Sequence, residues 1–277
     1  EPGVRAATVA GRTLRWALGA GALLVSLLAP LDSASGQARK TRENVNTWFT
    51  VVGELRLHER WYLDYDASLR RSGPLREMQQ ILPRAGLRYQ VNPAVRLSWG
   101  YAFAETWPYG KLPNAYRFPE HRMWEQLQLG HAIGRVALTH RYRMEQRWLG
   151  RVAEENGEES VQHWVRTNRF RYRLQATLPL QGRTLDDGEF YVQGNNELFM
   201  NWGANVQFNV FDQNRTIVSI GRRFSEHLRV EVGYLEQLVE KANGQQLERN
   251  HTLLFSLYPS LSLWHEAKHE AKHGATR

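Results

Sequence analysis

Asn168-Arg169-Phe170-Arg171-Tyr172-Arg173-Leu174-Gln175-Ala176-Thr177-Leu178 sets Phe170, Tyr172, Leu174 and Leu178 against Arg169, Arg171, Arg173 and Gln175. The period is two. In an extended strand this puts rings and aliphatic groups on one face and guanidinium groups on the other. Three alternating arginines do not fit an apolar core, because a buried charge is very costly unless it is paired and hydrogen-bonded. The stretch therefore reads as a β-strand with an apolar face turned to a nonpolar surrounding and a charged face turned to something wet or ionic.

The same pattern spreads outward from this segment. Phe49, Val51, Leu55 and Leu57 alternate with Thr50, Glu54 and Arg56, and Trp61, Leu63, Tyr65, Ala67 and Leu69 alternate with Asp64, Asp66, Ser68 and Arg70. Ile81, Ala85, Leu87, Tyr89 and Val91 face away from Arg84, Arg88 and Gln90, and Val95, Leu97, Trp99, Tyr101 and Phe103 face away from Arg96 and Ser98. Residues 135–148 set Val136, Leu138, Tyr142 and Met144 against Arg141, Arg143, Glu145 and Arg147. Further strands are expected at 190–201, 215–224, 228–239 and 250–258. Segment 121–131 breaks the rule, since Met123, Leu127 and Leu129 share a face with Glu125 while Trp124 stands opposite, and a β-bulge there would restore it.

Eleven such segments of about 10–12 residues match the length of a tilted strand crossing a bilayer. The fold class expected is all-β, an antiparallel transmembrane β-barrel with a cleaved signal peptide. Bacterial barrels have even strand numbers, which points to 12 strands, with 10 the alternative and residues 205–211 a candidate for a missed strand. Connections at 58–60, 92–94, 134 and 225–227 are short, and those at 109–120, 151–163, 202–214 and 242–249 are long. Trp48, Trp61, Trp107, Trp124, Trp148, Trp164 and Trp202 fall near strand ends, where an interfacial girdle is expected. A soluble lipocalin-like barrel or β-sandwich is the rival, and it would turn the apolar face inward.

Composition agrees with a barrel. The 277 residues have a mean hydropathy of -0.56, and no apolar run is long enough for a membrane helix. Barrel strands average their two faces, so low hydropathy does not exclude them. At the N-terminus Arg5, Arg12 and Arg15 precede an apolar run at 16–29, then Pro30 and the small residues of 33–38. This is the order of an export signal, with cleavage expected after Ala38. The division expected is signal peptide 1–38, a short segment 39–46, a barrel at 47–261 and a polar, partly helical tail at 262–277.

Particular residues add to the periodicity. Glu120-His121-Arg122-Met123-Trp124, Glu145-Gln146-Arg147, Arg171-Tyr172-Arg173, Asn196-Glu197-Leu198-Phe199, Phe211-Asp212-Gln213-Asn214-Arg215 and Asn250-His251 follow one another in an order that resembles the DUF2490 family of bacterial proteins. The resemblance runs from Trp48 to Tyr258. It implies an outer-membrane β-barrel and brings no catalytic residue with it. One departure stands out: such barrels usually finish on an aromatic in the closing strand, whereas here Pro259 and a tail follow Leu257.

The candidate chemistry lies on the charged face. The chain has 36 Lys and Arg against 28 Asp and Glu, and only five of the cations are Lys. These charges are interleaved, with no basic tail or continuous patch, so nucleic acid is not the expected partner. Cysteine is absent, which removes disulfides and thiol chemistry. Arg141, Arg143, Arg147, Arg169, Arg171 and Arg173, with Glu145 and Glu197, would line the lumen and bind or pass a small anionic solute. Carboxylates look locally too few at Arg169, Arg171 and Arg173. Outer-membrane lipid and lipopolysaccharide are the expected surroundings of a monomeric barrel without cofactor or catalytic residues. The alternative is a closed structural barrel whose external loops, including Glu154, Glu155, Glu158 and Glu159, bind envelope partners.

Two enzyme motifs compete with this reading. His265-Glu266-Ala267-Lys268-His269 and the overlapping His269-Glu270-Ala271-Lys272-His273 match a zinc-protease spacing, but lie in a repetitive terminal tail with no third ligand downstream. A lipid hydrolase would need a Ser and a His together, for which His140 and Ser256 are candidates. No nucleophile elbow frames Ser98 or Ser219, where Arg96 and Ile217 stand in place of glycine.

Overall fold

The computed structural model describes residues 39–73 and 75–264. The expected signal peptide and the two metal-site motifs of the tail lie outside them. Among the described residues, eleven strands follow one another around a closed barrel: β1 (Lys40–Arg56), β2 (Trp61–Ser72), β3 (Glu77–Asn92), β4 (Val95–Thr106), β5 (Phe118–Ile133), β6 (Val136–Glu155), β7 (Glu158–Pro179), β8 (Phe190–Trp202), β9 (Phe211–Ser225), β10 (Leu228–Glu240) and β11 (Gln246–Ser262). Sequential neighbours pair antiparallel, and β1 closes on β11 in parallel.

The odd count corrects the expectation of 12 or 10 strands and of a wholly antiparallel wall. In an up-and-down barrel with an odd number of strands, the first and last run the same way, so they must close in parallel. Residues 205–210 are loop and do not supply a twelfth strand. The eleventh strand's partner is β1, whose first residues, 40–46, fall in the expected short segment 39–46. These are polar and show no alternation, and they are strand because Lys40 to Asn46 pair in register with Gln246 to Thr252. Pro259 does not end β11. The β1–β11 ladder skips Tyr258 and Pro259 and resumes at Glu54 and Ser260, so the strand passes the missing N–H where no bond is required of it.

The faces are the reverse of those in a water-soluble barrel. Phe49, Leu69, Ile81, Leu97, Met123, Met144, Val218, Ile220, Tyr234 and Leu253 are exposed on the outer wall, whereas Arg70, Arg88, Glu120, Arg143, Glu145, Arg169, Glu197, Glu231 and Asn250 are buried within. This is the arrangement expected of the alternation and the opposite of the lipocalin-like rival.

Two of the tryptophans assigned to the rims turn inward. Trp48 and Trp124 are 3% and 4% exposed. β5 pairs with both neighbours without a register shift, so no bulge exists at 121–131, and Trp124 is an inner-face residue in simple alternation. Room for its indole comes from Gly86 and Gly100, paired across β3 and β4. A Cβ on either would lie 2.5–2.6 Å from the ring. Other aromatics do gather at the two rims. Trp61 packs on Tyr89 and Trp99 near the short turns, and Trp164 and Trp202 are half-exposed near the opposite end.

Connections β1–β2, β3–β4, β5–β6 and β9–β10 are tight and share one rim with the end of β11. The β2–β3, β4–β5, β8–β9 and β10–β11 connections share the other rim with the start of β1. Residues 180–189 form a ten-residue connection on the short-turn rim. One length differs from expectation: 151–163, expected as a long loop, is mostly paired strand. There β6 and β7 extend past the wall to a two-residue turn at Asn156-Gly157, both at positive φ (54° and 84°), as a type I′ hairpin requires.

Candidate functional site

Alternation alone aims one side chain in two at the lumen, and register decides which of them meet. The eight residues proposed from sequence all face inward, on three consecutive strands: Arg141, Arg143, Glu145 and Arg147 on β6, Arg169, Arg171 and Arg173 on β7, and Glu197 on β8. Glu145 stands directly across from Arg169, and Glu197 from Arg173.

A continuous ionic lattice results. Arg169 donates through Nε (2.8 Å) and Nη2 (2.6 Å) to Glu145, and through Nη1 to Asp212 of β9 at 2.8 Å. Arg171 joins the other oxygen of Glu145 at 2.6 Å to Glu197 at 2.9 Å, and Arg141 reaches the same Glu197 oxygen at 2.5 Å. Arg147 and Arg122 both donate to Glu120. Arg143 donates twice to Gln126 Oε1, at 3.0 and 2.7 Å, and lies over the Trp124 ring at 4.4 Å. Charge-assisted, multiply bonded pairs of this kind are the ones that survive burial.

The shortage of carboxylates expected at Arg169, Arg171 and Arg173 is corrected for the first two. Their partners Glu145, Glu197 and Asp212 arrive from neighbouring strands, and a single strand read along its length cannot show them. Arg173 alone of the three has no carboxylate within 4.0 Å among the described residues, and its Nε is buried without a partner.

Sequence reasoning missed Glu120, Arg122, Asp212 and Arg215. The first two lie on β5, whose face assignment was blurred by Trp124. At the start of β9 the pairing with β8 shifts between Phe199 and Met200, and both Asp212 and Gln213 are buried. The signal that could have found them was the set of motifs on which the family resemblance rests, since Glu120, Arg122, Trp124, Asp212 and Arg215 all fall within it.

Two groups of apolar side chains lie among these charges on the inner face. Trp48, Leu235 and Leu254 form one buried cluster with Ile217 against it, and Leu82, Ala102, Ala104 and Trp124 form another. Above them, toward the rim with long loops, lies a cavity of about 180 Å³ lined by Arg70, Gln80, Arg122, Asp212, Arg215 and Lys241, among others. The β4–β5 loop folds over it. Tyr109 donates to Glu248 Oε1 at 2.8 Å, and the backbone N–H of Lys111 donates to Asn44 Oδ1 at 3.0 Å. Burial and the adjacent Glu248 carboxylate push the Tyr109 hydroxyl pKa up, so it remains a donor.

The hydrolase candidates do not meet. His140 lies on the outer wall with Nδ1 2.9 Å from the Tyr172 hydroxyl, and Ser256 is buried on the inner face. Similar Tyr–His contacts recur on the outer wall at Tyr101 and His121 and at Tyr234 and His251. Each joins a diagonal cross-strand pair and satisfies an imidazole nitrogen and a hydroxyl together.

An uncharacterized protein of Methylorubrum extorquens is 27% identical over 189 residues, which cover 66% of this chain and 73% of that protein. No solved structure matches the chain. The family described as "Protein of unknown function (DUF2490)" matches residues 45–248, which takes in the wall from β1 into β11 and every charged residue of the lattice. By that match the chain belongs to the DUF2490 family.

Proposed function

We propose that this chain is an integral outer-membrane β-barrel of a Gram-negative bacterium, exported with loss of its first 38 residues, that binds small anionic solutes at its Arg-rich interior. The observation that carries the reading is the inversion of the wall, apolar outside and ionic inside. Only a nonpolar solvent makes that arrangement favourable over a whole barrel surface, and the closed wall leaves no unpaired edge in it. The buried ionic lattice and the two apolar clusters on the inner face support binding over free passage.

Two measurements test it. Expressed in a Gram-negative host behind an export signal, the mature chain from Arg39 should sediment with outer-membrane markers and migrate differently on gels before and after boiling, as closed barrels do. In planar bilayers the folded protein should give no discrete conductance steps. Recovery in the soluble periplasmic fraction would overturn the membrane reading, and steady ion-selective steps would replace the binding barrel with a pore. The projecting β6–β7 hairpin favours one further role, contact with envelope partners through Glu154, Glu155, Glu158 and Glu159, which stand exposed on it.

A further inference from the structure

We propose that the cavity under the β4–β5 loop is a site for a small, doubly charged tetrahedral oxyanion, phosphate or a phosphate monoester, held between Arg70 and Arg215. The inference deepens the reading of the chain as an anion-binding barrel and rests on it. Its basis is a difference among the cations that line this one cavity.

Most of them are already neutralised. Arg84 lies 2.9 Å from Asp66, Arg122 and Arg147 share Glu120, Arg169 is held by Glu145 and Asp212, Arg171 by Glu145 and Glu197, and Lys241 lies 2.7 Å from Glu248. Arg70 and Arg215 differ. Among the described residues neither has a carboxylate within 4.0 Å. Arg70 donates through Nη1 to Gln80 at 2.7 Å and Arg215 through Nε to Gln213 at 3.2 Å, both neutral amides. Arg70 is 7% exposed, and its Nε is buried with no partner.

The two guanidinium groups share one support. Their carbons lie 3.9 and 5.3 Å from the centroid of the Trp48 ring, and Arg215 also lies 4.8 Å from that of Phe199. Trp48 is itself fixed by its Nε1–H to Gln79 Oε1 at 2.8 Å. A cation over a ring face is held by the quadrupole, while its in-plane N–H groups stay available for an acceptor. Two uncompensated positive charges in a confined space call for about two negative charges and for several acceptor oxygens. A phosphate group supplies both near neutral pH, whereas a carboxylate leaves one charge over. The volume, about 180 Å³, leaves room for such an anion with a few waters.

The anion has two possible sources, a free solute and the phosphate of a lipid headgroup, and the test separates them. Folded full-length barrel in a zwitterionic detergent is titrated by calorimetry with inorganic phosphate, and separately with lipid A in mixed micelles, at fixed ionic strength. Saturable binding of either probe that weakens at least tenfold in the Arg70→Gln, Arg215→Gln double variant supports the site, and the probe that binds names the source. An Arg151→Gln, Arg166→Gln variant loses the same charge from the exposed hairpin and should bind as the wild type does. No saturable binding by a barrel that keeps its boiling-dependent mobility overturns the site and leaves the membrane reading standing. Equal weakening by both double variants overturns it as well, since the effect would then be one of net charge. A chain that never inserts into detergent or vesicles counts against the membrane reading instead.

Discussion

Glu145 is the residue on which the lattice depends most. It is 1% exposed and receives three hydrogen bonds from two guanidinium groups, so its ionised carboxylate compensates charge contributed by a neighbouring strand. Removing one partner of a buried pair strands the other, at about 3–5 kcal/mol. Glu145→Gln keeps the shape and removes the charge, and the urea midpoint of the folded barrel in detergent should fall accordingly. A midpoint within error of the wild type would mean that Arg169 and Arg171 draw their compensation from Asp212 and Glu197 alone. Sequence showed that Glu145, Arg169 and Arg171 share the inner face, because side-chain direction follows period. It could not show that Glu145 stands across from Arg169, because register is set by pairing over the whole hairpin, and that is why the arginines looked short of carboxylates.

At the scale of elements, β3, β4 and β5 show how a strand's face can be misread and what settles it. Trp124 looks out of place in the sequence because it stands opposite Met123, Leu127 and Leu129, and a large aromatic on the inner face of a narrow barrel needs neighbours that give way. Gly86, Gly100, Ala102 and Ala104 do so, and the indole lies over the small residues of β3 and β4. The pattern was present in the sequence as glycines and alanines at matching positions, but their meaning depends on which strand lies beside which. A side chain at Gly100 would bring Cβ within 2.3 Å of the Ala85 carbonyl oxygen and 2.6 Å of Trp124. Gly130, toward the end of β5, has nothing nearer than 3.9 Å. Gly100→Val should therefore cost at least the 1–3 kcal/mol typical of overpacking and lower the yield of refolded barrel, whereas Gly130→Ala should leave the urea midpoint close to that of the wild type. Equal tolerance at both positions would show that Trp124 is not seated where β3 and β4 make room.

For the whole molecule, the seam between β1 and β11 decides strand number, and through it the placement of the two ends. Lys40 begins at the rim with long loops and Ser262 finishes at the rim with short turns, so the two ends of the wall lie at opposite rims, as an odd number of strands requires. The outer faces of the seam strands meet at Phe49 and Phe255, paired in register with their rings stacked 5.4 Å apart. Because the chain contains no cysteine, a double variant Phe49→Cys, Phe255→Cys introduces the only thiols. Registered neighbours in adjacent strands lie within the Cα separation that a disulfide spans, about 4.4–6.8 Å. Mild oxidation of the folded barrel should join them in high yield, seen as altered mobility of the boiled, unreduced chain. A Phe49→Cys, Leu261→Cys pair, displaced by six residues along the same face, should not close. If a further strand lay between β1 and β11, neither pair could form, since the two strands would be separated by two strand spacings, about 9–10 Å. Efficient closure of the registered pair alone requires eleven strands with a parallel seam, and the same oxidised sample, tested for its boiling-dependent shift, reports whether locking that seam preserves the closed wall.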